Sequence, residues 1–207
     1  MGSQDLVIAI DDESVADKAQ EILKVSSGLF FENDYNSVGI RAIASAAGVR
    51  GASIYHYFSS KEEILFLIVK EVTSDFIYSE PLVYDYESDF QRLLKLLISK
   101  HIFYFWEHRQ ALSIGYREMH NLTPKHQRIV HGYRLEYQHS VQRFIAAGKD
   151  AKVFRCEDAQ IAGIALLDIV NGVNDWFRPN GRLSIQQIAE QYGDLSLRML
   201  GVRNAND

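Results

Sequence analysis

The chain has 207 residues, of which 47% are hydrophobic, so it can bury a sizeable core as one large or two modest domains, and whole-chain disorder is excluded. A formal net charge of -5 argues against non-specific nucleic-acid binding by the whole surface, so any DNA contact has to come from a local patch. The single cysteine, Cys156, forbids an internal disulfide, and no stretch reaches the ~18 apolar residues of a membrane span.

Residues 1–12 are expected to be an extended or mobile arm. The start MGSQDL has Leu6 where myristoylation needs Ser or Thr, and the apolar run from Leu6 to Ile10 is too short for a signal peptide. A soluble, cytoplasmic protein is expected. Ser14 to Asp17 gives an S-x-x-D start signal for a first helix, which carries Ala19, Ile22, Leu23, Ser26, Leu29 and Phe30 on one stripe and ends near Asn33-Asp34.

The next stretch, Ile40 to Lys61, organises the chain. Ile40, Ile43, Ala44 and Ala47 have the spacing of one buried helical face, and Gly48 supplies a left-handed turn. A second short helix is expected from about Arg50 to Tyr57. From Ser37 to Lys61 there are Arg41, Arg50 and Lys61 but no Asp or Glu, with Ser53, Tyr55, His56 and Tyr57 interleaved. Such a local basic face suits phosphate contacts and base-edge reading.

Ser60 to Glu63 is a capping box that opens a further helix with Ile64, Leu65, Ile68, Val69 and Val72 on one face. Pro81 and the stretch Leu82 to Asp89 mark a break. Helices then follow from about Ser88 to His108, Arg109 to Met119, Pro124 to Ala147 with Gly148 as its stop, Asp158 to Trp176, and Ser184 to Leu200. No alternating strand pattern of useful length appears. The expected fold is all-α, with a helix-turn-helix domain at 13–60 and a helical body at 61–203.

The segment DYNSVGIRAIASAAGVRGASIYHYFSSKEEI resembles the DNA-binding signature of the TetR/AcrR family of bacterial transcriptional regulators. The resemblance covers the first third of the chain and implies a dimer on a double-stranded, palindromic DNA operator. It implies that Arg41 contacts DNA from the first helix of the motif. It further implies that Arg50, Gly51, Ala52 and Ser53 open the recognition helix, that Tyr55, His56 and Tyr57 touch bases and backbone, and that Lys61 binds phosphate. Ile54 and Phe58 match its core anchors. Three positions depart from the common pattern: Gly39 stands where a Ser or Thr hydroxyl usually caps the first helix, Ala42 replaces a common acidic residue, and Gly51 replaces a common lysine.

In this family the last two helices usually build the homodimer face, and the body usually binds a small-molecule effector. Small residues at Ala159, Ala162, Gly163, Ala165 and Gly172, with Ile161, Ile164, Leu167 and Ile169, fit close helix pairing. The candidate effector contacts are His101, Phe105, Trp106, Met119, His120, Tyr133, Tyr137 and Trp176, a set richer in rings and polar groups than a minimal core needs. The segment DWFRPNGRLS is similar to regulators of fatty-acid and steroid catabolism, which implies an acyl-CoA thioester as effector. Arg109, Arg117, Lys125, Arg128, Arg134 and Arg143 are then candidates for the CoA phosphates.

An enzyme is not expected, because the chain has no P-loop, no dinucleotide fingerprint, no G-x-S-x-G and no HExxH. The seven histidines are scattered without a metal-ligand spacing, so neither a metal nor a cofactor is expected. The competing class is an all-α interaction module or an apo-binding protein that does not bind DNA. The acid-free stretch from Ser37 to Lys61 argues against it.

Overall fold

The computed structural model describes residues 13–79, 85 and 87–202. The expected arm at 1–12 and the break at Pro81 lie outside them. Among the described residues the regular elements are all helical: α1 Glu13–Glu32, α2 Ile40–Ala46, α3 Lys61–Ser79, α4 Phe90–Glu107, α5 Arg109–Arg117, α6 Pro124–Asp150, α7 Ala159–Asn171, α8 Val173–Trp176 and α9 Ile185–Met199. Short 3-10 helices cover Tyr35–Ser37, Gly51–His56 and Met119–Asn121. No helix among the described residues is long and apolar enough to cross a membrane.

Packing divides the chain into two compact units, one running up to Val72 together with Gln110–Val130, the other Thr73–Arg109 with the chain from His131 onward. The first unit, the head, therefore extends past residue 60 and takes in a segment from the middle of the chain. Its core is built on Ile22, Phe30, Ile43, Ile54, Ile64 and Leu65, all with no exposed surface, and Leu122 and Val130 from the later segment join the same cluster. The second unit, the body, is centred on Leu94, Ile98, Phe144, Ile145 and Leu200. There Phe90, Phe144 and Phe154 form a ring triangle with centroids 5.5–6.0 Å apart. α4 packs most extensively on α9. The close approach is made at Gly193, where an added Cβ would stand 3.1 Å from the Lys95 side chain.

The capping chemistry follows the sequence in most places. Ser184 and Gln187 form a complete capping box at α9. Asp158 accepts from the backbone N–H groups of Gln160 and Ile161 at α7, and Asp89 does so from Arg92 at α4. At α3 the Ser60 hydroxyl accepts from the Glu63 N–H at 3.0 Å, but the Glu63 carboxylate reaches back to Ser59 rather than Ser60. Gly48 has φ +66° and closes α2, with the Val49 N–H donating to Ala44 O at 2.9 Å.

Four local expectations differ from what is found. Ser14 lies inside α1, which is described from Glu13, rather than ahead of it. The helix expected from Arg109 to Met119 ends at Arg117, and Met119–Asn121 forms a separate 3-10 turn. Gly148 does not end α6: the helix continues to Asp150 and turns at Lys152, φ +62°. The glycine is needed instead for packing, since a Cβ there would stand 2.3 Å from the buried Phe154 ring. Finally, the helix expected from Asp158 to Trp176 is divided into α7 and α8 at Gly172, where the poorest helix former after proline relaxes the ladder.

Candidate nucleic-acid interface

The expected helix-turn-helix of the head is formed by α2 and the Gly51–His56 segment, which contact each other closely. The second of these is a 3-10 helix: Ser53 N–H donates to Arg50 O at 2.8 Å and Tyr57 N–H to Ile54 O at 3.0 Å, the i to i+3 pattern. Ile54 and Phe58 are buried and fix this short helix to the core. That leaves the other side outward. Arg41, Arg50, Ala52 and His56 are exposed, and Tyr55 is 59% exposed. Gly51, Ser53 and Tyr57 are half-buried, and Tyr57 packs against the core.

The cations of this face differ in their partners. Neither the Arg41 nor the Arg50 side chain makes a hydrogen bond or ion pair among the described residues. The Arg41 stem lies against the start of the recognition segment, with its Cγ 3.9 Å from where a Gly51 Cβ would be. Lys61 is used otherwise: its Nζ donates to Tyr35 O at 2.8 Å and to Val38 O at 2.9 Å, and stands 4.0 Å from the Tyr35 ring centroid. Burial lowers its pKa from the ordinary lysine value, and the Glu118 carboxylate opposes that shift. Two of its three N–H groups therefore hold the turn before α2, a role that spacing alone did not indicate.

Gly39 begins α2 with no side-chain cap; its carbonyl receives the N–H groups of Ala42 and Ile43. Lys18 on α1 serves the other end, donating to Ala47 O at 2.7 Å.

The residues expected around an effector fall into both units. Met119 packs on the head core and His120 is exposed there. In the body, His101 is 1% exposed and lies between Tyr137 Oη at 3.0 Å and Asn171 Oδ1 at 2.9 Å. Since Asn171 Oδ1 can only accept, His101 donates from Nε2, and its Nδ1 accepts the Tyr137 hydroxyl. Burial pushes His101 down to about 4, although the Asn171 hydrogen bond opposes this, so the ring is neutral. Burial also raises the Tyr137 phenol. Phe105 stacks on His101 at 4.1 Å, and Phe76 touches His101, Tyr104, Phe105 and Tyr137 at 4.6–5.3 Å. Phe76 and Asn171 are the members of this cluster that sequence spacing missed. Trp106 packs edge-on to Phe177, Tyr133 on Tyr78, and Trp176 is 51% exposed. Of the basic candidates, Arg109 covers the Trp106 ring and Arg117 is held by backbone carbonyls and Glu118.

An all-helical chain whose head presents an unpaired arginine pair on a helix-turn-helix is the arrangement of a DNA-binding regulator. Residues 22–68 match the family model of bacterial regulatory proteins of the tetR family, and residues 88–200 match the tetracyclin repressor-like C-terminal domain. The chain belongs to the TetR family of transcriptional regulators. It is similar to the HTH-type transcriptional repressor KstR2 of Rhodococcus jostii, 25% identical over 187 residues that cover 89% of this chain and 91% of that one. Among solved structures, a tetR-family regulatory protein from Rhodococcus RHA1 has the same fold, with a TM-score of 0.83 at 22% identity over 90% of this chain and 98% of that one. AibR in complex with isovaleryl coenzyme A and operator DNA also shares it, at TM-score 0.75 and 20% identity over 86% of this chain and 97% of that one.

Proposed function

We propose that this regulator is a cytoplasmic repressor that binds a palindromic operator as a homodimer and is released by an acyl-CoA thioester, within the control of fatty-acid or steroid catabolism. The observation that carries the DNA part is the outward face of the head: Arg41 and Arg50 unpaired beside exposed Tyr55 and His56, in a stretch without a single acid. Arginine suits guanine O6 and N7 in the major groove, and Ser53, Tyr57 and the remaining N–H of Lys61 suit phosphate. The C-terminal helices support the dimer. Ile161, Ile164 and Ile169 on α7 are 66%, 43% and 47% exposed, and Leu195 on α9 is 49% exposed. Large aliphatic groups on two contacting helices gain by covering one another with a second copy. Two heads would then meet half-sites about 34 Å apart.

The effector class draws on the relatives. KstR2 is a repressor, and AibR was crystallised with isovaleryl coenzyme A. In this chain the body supplies the aromatic candidates Phe105, Trp106, Tyr133, Tyr137 and Trp176, while His101, satisfied by its own neighbours, holds Phe105 and Tyr137 in place. Occupancy of the body would favour a head separation that no longer fits adjacent half-sites.

The test is selection of duplexes from a random-sequence library by the purified protein, followed by titration of the selected duplex with a panel of acyl-CoAs. Enrichment of a palindrome with salt-dependent affinity is expected, and Arg50→Ala should relax preference at one position by about tenfold or more. Absence of any enrichment sinks the DNA reading. Flat binding across the acyl-CoA panel removes the effector class and leaves the operator.

A further inference from the structure

The most deeply buried carboxylate described in the head belongs to a segment outside the residues matched by the family's DNA-binding model. Glu118 follows α5, and its side chain has no exposed surface. A buried carboxylate has to be paired and hydrogen-bonded. Glu118 is met by Arg117 Nε at 2.7 Å and by Asn121 Nδ2 at 2.9 Å. With its Nε engaged, the Arg117 fork points its two terminal nitrogens at the end of α1. Nη2 donates to Phe30 O and to Asn33 O, the latter at 3.2 Å, and Nη1 to Phe31 O at 3.5 Å. Carbonyls at a helix end have no intrahelical partner, and a cation is the preferred substitute. A few residues on, Lys61 donates to Tyr35 O and Val38 O. The field of Glu118 acts on both Lys61 and Tyr35.

The turn from Asn33 to Val38 is therefore held by two cations, and one buried carboxylate orients the first and attracts the second. That turn leads directly into Gly39 and α2, which has no side-chain N-cap of its own. The orientation of Arg41, and of the recognition segment packed on α2, depends on it.

We propose that Glu118 is a positioning residue for DNA reading: through Arg117 and Lys61 it fixes the turn that aims α2 and the recognition segment. This rests on the DNA reading above. It adds a sequence-specific role for a residue that touches no DNA, so it predicts a loss of discrimination rather than of general attraction.

The test compares wild type with Glu118→Gln, which keeps the shape and removes the charge, and with Arg117→Lys, which keeps the charge and removes the fork. Two readouts are taken at a temperature where circular dichroism shows the variants folded. The first is the affinity ratio between the selected duplex and a shuffled duplex of the same composition. The ratio is expected to fall about tenfold in Glu118→Gln, with binding to the shuffled duplex within about twofold of wild type. The second needs no DNA: amide hydrogen exchange in peptides spanning 30–40 is expected to speed up in both variants, while peptides of α4 and α9 stay unchanged. An unchanged ratio, or equal losses on both duplexes that track the unfolded fraction, overturns the proposal. So does unchanged exchange at 30–40. Should wild type select no duplex at all, the DNA reading fails, and the exchange comparison still decides whether Glu118 holds the turn. If Glu118→Gln does not fold, Arg117→Lys carries both readouts.

Discussion

The head and the body each contain a histidine close to a tyrosine, and the two pairs have opposite fates. On the recognition segment, Tyr55 is 59% exposed and His56 is exposed beside it. In the body, His101 is 1% exposed and shares hydrogen bonds with Tyr137 and Asn171. The first pair is held by what lies beneath it, Ile54 and Phe58, and its polar edges face outward. The second holds three helices, α4, α6 and α7, through one ring. A binding face keeps its polar groups unsatisfied and solvated, whereas a buried polar group has to find its partners inside the protein.

The largest test of this contrast is a pH titration of stability. The unfolded histidine has its ordinary value of 6.5, while His101 in the folded body is pushed down to about 4. Between those values the unfolded chain binds a proton that the folded chain refuses. Stability from this group is therefore complete above 6.5 and is lost as pH falls toward 4. At pH 5 the loss should be on the order of 2 kcal/mol, rising to roughly 3 near pH 4. Urea midpoints of wild type and His101→Gln, measured from pH 7.5 to 4.5, isolate it, since every other titrating group is common to both. The variant will be less stable at pH 7, where it cannot serve both Tyr137 and Asn171. Its midpoint should then fall less steeply with acid. Parallel curves would mean that the ring is solvated, and the contrast between the pairs would disappear.

Lys61 blurs the contrast, because it lies on the head yet behaves like an interior group. Removing it in Lys61→Ala leaves the carbonyls of Tyr35 and Val38 without their charged donor. A loss of about 2 kcal/mol in stability is expected, read as a lower thermal midpoint. DNA affinity should drop on every sequence, and most on the selected duplex because the turn is loosened, with a shallower salt dependence if the remaining N–H meets a phosphate. An unchanged thermal midpoint with a reduced salt slope would return Lys61 to a purely DNA-facing role.

Periodicity revealed the all-helical fold, and the outward face of the head was legible for a related reason. Burial of Ile43, Ala44, Ile54 and Phe58 follows from spacing, and what remains between them has to point away. Caps written in adjacent residues, such as Ser184 with Gln187, were equally plain. What stayed hidden were partnerships between distant segments. Arg117 and Lys61 both look like free surface cations in a linear sequence. Their partners are backbone carbonyls from Phe30 to Val38, which any residue type supplies, so no side-chain pattern announces them. Gly148 misled for a similar reason: its requirement comes from Phe154 pressing on it, not from the turn a glycine usually signals. The grouping of Gln110–Val130 with the head likewise depends on which apolar residues meet, and Leu122 and Val130 carry no mark of their destination.

Smaller effects come from two positions in the head where the interior rule is broken or a surface cap is missing. Ser26 is wholly buried on α1, and its hydroxyl is the one buried side-chain polar atom among the described residues without a hydrogen-bond partner. Ser26→Ala removes an unsatisfied group and adds helix propensity, so it should stabilise by about 1 kcal/mol and leave DNA affinity unchanged. A destabilised variant would show that the hydroxyl does find a partner.

Gly39 is the opposite case, a surface position that lacks a polar group it has room for. It precedes α2 with φ -89° and ψ 156°, an ordinary extended conformation, and an added Cβ would meet nothing within 4 Å. Gly39→Ser therefore introduces no strain and offers its hydroxyl to the first turn of α2, whose N–H groups have no side-chain acceptor. Because glycine is itself an acceptable N-cap, the gain in stability should be only a few tenths of a kcal/mol. The more telling readout is DNA. On the proposed DNA reading, in which the N-terminus of α2 faces the backbone, the hydroxyl would add a phosphate contact, so affinity for selected and shuffled duplexes should rise together, by about twofold to fivefold. A rise confined to the selected duplex would instead put position 39 at a base edge, and α2 would then share the reading with the Gly51–His56 segment. A fall on both would mean that α2 meets the backbone too closely at this point for any side chain, which would make its glycine a requirement of DNA approach.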